Sequence, residues 1–122
     1  MNIVDANIIL RYLLQDAQQF LEQAREKMED QNIFIPNEVI AEVVYVLEKV
    51  YKVERAHIFD SLWNLLSYSN IRTHDRNILV EALKKYSEIK IDFVDALLFS
   101  YSKIGGHTIH TFDKKLIQLL DE

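Results

Sequence analysis

Two aspartates break the apolar stretch I-D-F-V-D-A-L-L-F-S-Y, residues Ile91 to Tyr101. Read as a helix, Phe93, Val94, Ala96, Leu97, Leu98 and Phe99 leave no polar face, which predicts burial all round. Asp92 and Asp95 are three apart, so both carboxylates project from one side near the helix start. Removing an ionised carboxylate from water is costly, and a like-charged neighbour adds to the cost. The stretch holds no arginine or histidine, and the nearest lysines, Lys90 and Lys103, lie outside the pair. A proton or a cation must compensate the charge, and a bound metal ion is one answer. The plainer answer is capping. Asp92 is then the N-cap with Asp95 at the third helical position, and both suit the macrodipole.

Three further acids recur in positions of the same kind. Asp5 ends the short apolar run Asn2-Ile3-Val4, and Asp113 follows His107-Thr108-Ile109-His110-Thr111. Each otherwise serves only to cap the helix behind it. Glu42 lies on a helix whose apolar stripe is Val39, Ile40, Val43, Val46, Leu47 and Val50. At about 100° per residue it falls within roughly 40° of Val46, at the border of that stripe. Its plain alternative is a solvated glutamate. In a parallel α/β sheet, acids that follow strands or open the next helix gather at the carboxyl edge, where ligands bind. Asp5, Glu42, Asp95 and Asp113 converging there would repel one another unless a divalent cation joined them. Hard cations such as Mg²⁺ prefer oxygen ligands. They neutralise charge developing on a phosphoryl group and ionise a bound water. The chemistry implied is metal-assisted phosphodiester hydrolysis.

Other polar residues carry less. Arg11, Lys49, Lys52, Arg72, Arg76, Lys114 and Lys115 are candidates for phosphate contacts or members of a solvated surface. His57 and His74 have no partner at ligand spacing, and His107 and His110, three apart on a strand, face opposite ways.

The elements that must position the acids follow from periodicity. Strands are expected at Asn2–Val4, Ile33–Ile35, Ile71–Thr73 and His107–Thr111. Helices are expected over Ile8–Leu13, Ala17–Asp30 (Phe20, Leu21, Ala24 and Met28 inward), Asn37–Tyr51 and Arg55–Tyr68. Another starts at His74 or Asp75 and runs to Tyr86. The Ile91 helix stops at Gly105-Gly106, and a terminal helix follows Asp113. Pro36 ends the second strand and opens a helix. The order predicts an α/β fold, a three-layer α/β/α sandwich around a mostly parallel sheet of four to five short strands.

Composition sets the bounds. The 122 residues suit one domain spanning 1–122, and two glycines with one proline favour long helices and short connections. No cysteine is present, which excludes disulfides and thiolate metal sites. No apolar run is long enough to span a bilayer and no signal-peptide pattern opens the chain, so a soluble, cytoplasmic protein is expected. The net charge of −5 counts against a bulk electrostatic grip on nucleic acid, but clustered site carboxylates contribute to that total.

V-D-A-N-I-I-L-R, P-N-E-V-I-A-E-V-V-Y-V-L-E, D-F-V-D-A-L-L and T-F-D-K-K-L, in this order, resemble a small prokaryotic PIN domain of the VapC toxin type. The resemblance spans essentially the whole chain. It implies a Mg²⁺- or Mn²⁺-dependent, single-strand-specific endoribonuclease, a homodimer held inactive by a cognate antitoxin. It puts the acids of the site at Asp5, Glu42, Asp95 and Asp113, with Asp92 as an additional acid. Asn7 and Thr111 match small polar positions near the metal, and Arg11 is a supporting candidate. His110 departs from the more usual apolar or small residue, and with the sequence ending soon after Leu120 a final edge strand of many relatives is expected to be missing.

Two other readings bear on the same residues. A PIN-like module that binds RNA or protein without catalysis would keep the fold. An acyl-phosphate phosphotransfer domain would need paired acids or D-x-D after the first strand, and only Asp5 stands there.

Overall fold

The computed structural model describes residues 1–15 and 18–122, and side chains from 21 onward after the break. The chain forms two compact units, Met1–His74 and Asp75–Glu122.

The first unit contains β1 (Asn2–Ile3), α1 (Ala6–Leu14), α2 (Gln18–Asp30), β2 (Ile33–Phe34), α3 (Asn37–Lys49), α4 (Arg55–Leu66) and β3 (Ile71–Arg72). The strands form a parallel sheet in the order β1-β2-β3, with Asn2 opposite Ile33 and Ile33 opposite Ile71. The central strand carries the fully buried Ile33, and Ile35 behind it is equally buried. β1 differs from the buried strand expected: it lies at the sheet edge, and Ile3 is 64% exposed. Only Val4 of that run enters the core.

Asp5 starts α1, whose inner face is Ala6, Ile9, Leu10 and Tyr12. The Tyr12 hydroxyl donates to Glu29 on α2 at 2.7 Å and lies 3.1 Å from the Tyr68 hydroxyl. Burial, then these two partners, push the Tyr12 phenol well above its ordinary range. Asn70 closes the far end of α2 by donating to the carbonyls of Met28 and Gln31, both at 2.8 Å. Those carbonyls lie at and beyond the last turn, where helices leave acceptors without intrahelical partners. Ala24 and Met28 are buried as expected, whereas Ala17 and the Phe20 side chain lie outside the described residues. Pro36 occupies the N-cap of α3. The α3 core is Ile40, Val43, Val44 and Leu47. Val50, expected in that stripe, is 63% exposed because the helix has ended at Lys49.

The second unit is helical: α5 (Arg76–Glu88), α6 (Phe93–Lys103) and α7 (Lys114–Leu120). α5 and α6 pack together through Leu79, Ala82, Leu83 and Tyr86 on one side and Phe93, Ala96, Leu97 and Phe99 on the other. Tyr86 and Phe93 meet edge to face at 5.9 Å. Ser100, fully buried, donates to the Ile78 carbonyl at 2.5 Å. α6 is not buried all round, since Val94 is 56% exposed. The helix stops where expected. Gly106 adopts φ 72°, the left-handed region that favours glycine, and the His107 amide reaches back to the Tyr101 carbonyl at 3.1 Å. A Cβ on Gly105 would lie 2.8 Å from that same carbonyl.

The strand expected at His107–Thr111 is not formed, so the described residues contain three strands rather than four or five. Ile109 is its sole aliphatic residue and is only partly buried. A strand inside a parallel sheet needs a near-continuous apolar run on both faces, which this segment lacks.

Candidate active site

Asp5 lies directly behind β1 and Val4. Its backbone is extended, and one carboxylate oxygen accepts from the Ile8 amide at 3.1 Å. The remaining residues of interest on α1 are Asn7, exposed in the first turn, and Arg11, half-buried in the last. Both line a cavity of about 280 Å³ with Ile8, Gln23, Ala24 and Lys27. The cavity thus combines an apolar floor with two cations and two amides. Glu42 is exposed on α3, one residue before the buried Val43-Val44 pair. α3 packs against α1, the helix that carries Asp5.

In the second unit, Asp92 and Asp113 occupy the N-caps of α6 and α7. They do different things there. Asp113 accepts from the Leu116 amide at 2.9 Å, whereas the Asp92 side chain makes no capping bond. Thr111 braces the approach to α7, its hydroxyl oxygen accepting from the Asp113 amide at 3.1 Å.

Asp95 sits in the first turn of α6 and is half-buried. Burial pushes its carboxyl above the ordinary value, and the charges of Asp113 and then Asp92 push it further. Asp92, Asp95 and Asp113 are therefore electrostatically coupled although they arise from two helices. The ion pairs within this unit, Lys85 with Glu88 and Lys103 with Glu81, engage none of the three. A half-buried carboxyl whose pKa is raised by two neighbouring carboxylates suits a hard divalent cation, which would relieve the repulsion. Among the described residues, no group of three or more His, Cys, Asp or Glu side chains is arranged to hold a metal ion. Asp5 and Asp113 each turn one oxygen onto a helix amide, so only part of each carboxylate is committed.

The placement of Phe112 was not legible beforehand. The ring between Thr111 and Asp113 is fully exposed, at 101% of the reference. The local sequence T-F-D offers only a weak signal for it: an aromatic residue held between two polar ones at a helix start.

The parallel sheet, whose first strand leads into a capping aspartate, is followed in the chain by an acid-bearing helical unit. Residues 3–120 match the PIN domain model, and the chain belongs to the PIN domain family. This bears out the resemblance seen in the four motifs. Among curated proteins, the VapC ribonuclease of Aquifex aeolicus (strain VF5) is 29% identical over 126 residues, 98% of this chain and 92% of that one. No solved structure matches the chain. No helix among the described residues is long and apolar enough to cross a membrane.

Proposed function

We propose that this protein is a divalent-metal-dependent endoribonuclease, the toxin of a type II toxin–antitoxin pair. Its substrate is single-stranded RNA, and its partners are a cognate antitoxin and a second copy of itself in the cytoplasm. The observation that carries this reading is the coupling of Asp95 to Asp113 and Asp92, in a chain of the PIN family. The similarity to a protein named VapC ribonuclease supports the same conclusion.

Asp5, Glu42, Asp95 and Asp113 would hold a Mg²⁺ or Mn²⁺ ion, with Asp92 as an additional oxygen donor. A bound cation supplies charge neutralisation at the phosphoryl group and a more acidic water. The chain's own contribution is to concentrate oxygen ligands and fix their orientation. Capping does part of this, because the Ile8 and Leu116 amides immobilise Asp5 and Asp113. Thr111 fixes the Asp113 backbone, and Asn7 offers a neutral polar group two residues from Asp5. Arg11 and Lys27, across the α1–α2 cavity, supply cationic contacts for the RNA backbone.

The test is cleavage of an end-labelled single-stranded RNA by the purified protein and by Asp95→Asn. Cleavage with Mg²⁺ or Mn²⁺, lost on chelation and in the variant, is expected. Cleavage unaffected by both changes would overturn the metal-nuclease reading.

A further inference from the structure

The geometry points to Phe112 as the residue that stacks on a nucleobase beside the scissile phosphate, deepening the ribonuclease reading on which it rests. The ring is wholly exposed, while the backbone on its C-terminal side is fixed. The Thr111 hydroxyl takes the Asp113 amide at 3.1 Å, spanning Phe112, and Asp113 takes the Leu116 amide at 2.9 Å. Little backbone freedom is left to lose when a flat ligand settles on the ring. Phe112 is one peptide from Asp113, about 3.8 Å between Cα atoms. Asp113 in turn acts on Asp95 through its charge. A phosphate at these acids therefore brings its own or the adjoining base within reach of the ring.

The chain on either side favours nucleic acid over a protein partner. His110, Asp113 and Lys114 are exposed and polar, so the ring stands alone in the sequence rather than in an apolar run. Protein interfaces are centred on contiguous apolar surface. A lone aromatic face with a cation beside it is how proteins hold single strands, because every base has a face that can stack. Lys114, next but one to Phe112, supplies that cation for the backbone.

The experiment compares wild type, Phe112→Ala and Phe112→Trp on single-stranded RNA with Mn²⁺. A second substrate lacks the base on each side of the cleavage site in turn. Phe112→Ala is expected to raise KM roughly tenfold while kcat changes less, and Phe112→Trp to restore it. One abasic substrate should weaken wild type but not Phe112→Ala. If wild type cleaves no RNA, the ribonuclease reading falls and this proposal with it. If wild type cleaves and Phe112→Ala has the same KM, stacking alone is overturned. A normal KM joined to a changed oligomeric state would reassign the ring to a protein contact. Thermal melts that coincide with wild type establish that the exposed position is not needed for folding.

Discussion

Asp113 uses one carboxylate oxygen to hold the Leu116 amide at 2.9 Å, and its charge at the same time raises the pKa of Asp95 on a different helix. Capping and ligation are therefore not rival roles for this residue. A carboxylate has two oxygens and about four acceptor sites, and a helix amide occupies one. The same holds for Asp5, whose bond to Ile8 leaves its second oxygen uncommitted to the cap.

The raised pKa of Asp95 fixes the sign of a stability effect. The folded state binds the proton more tightly than the unfolded chain, so stability from this group is full below the ordinary carboxylate range. It is lost as pH rises from there through the raised value. Asp95→Asn removes the charge. The metal-free variant is expected to melt above wild type near neutral pH, with the gap closing on acidification to about pH 3. Melting curves followed by circular dichroism in a chelator would show this. A variant that melts below wild type at neutral pH would contradict the electrostatic assignment.

At Asp5, structure and chemistry can be separated by two substitutions. Asparagine caps as well as aspartate, so Asp5→Asn should hold the fold within a few tenths of a kcal/mol, whereas Asp5→Ala should cost about 1 kcal/mol. Both should lose metal-dependent cleavage by about a hundredfold or more. Denaturant midpoints and cleavage rates on the same preparations check the pair of outcomes. An active Asp5→Asn would remove the residue from the site.

Much of this layout was readable because its signals are local. An aspartate followed by an apolar helical period marks an N-cap, and Asp5, Asp92 and Asp113 all occupy that position. Gly105-Gly106 marks a helix stop, and the left-handed Gly106 supplies it. The misreadings arise where a distant partner decides. His107–Thr111 reads as a strand, but a strand exists only when another strand offers a ladder. Val94 and Val50 have core chemistry, yet their exposure depends on which face a neighbour covers and on where α3 ends. The coupling of Asp95 to Asp113 joins residues eighteen apart in the chain and on different helices, so no single helix relates them. Phe112 shows the converse: an apolar type gives no warning that its ring stands entirely in solvent.

Ser100 offers a control inside the second unit. Its buried hydroxyl donates to the Ile78 carbonyl and ties α6 to α5. Ser100→Ala is expected to lower stability by about 1 kcal/mol, with kcat unchanged, since the residue lies two turns of α6 from the acids' end. Urea unfolding and initial cleavage rates test this. A large loss of activity without loss of stability would mean that α6 transmits more than support.

Asp92 distinguishes a cap from a ligand most directly. It holds the N-cap position of α6 but makes no side-chain bond to the helix, unlike Asp5 and Asp113 at the equivalent positions. Asp92→Asn therefore leaves the capping geometry nothing to lose, and with its repulsion of Asp95 relieved the metal-free variant should melt at or slightly above wild type near neutral pH. Asparagine keeps one oxygen but not the charge, so a ligand role predicts weaker Mn²⁺ binding, on the order of 10- to 100-fold. Titration calorimetry on the chelator-stripped protein reads that change without requiring turnover. Equal affinities for wild type and Asp92→Asn would leave Asp92 acting only through its charge on Asp95, and the metal-binding set would reduce to the remaining four acids.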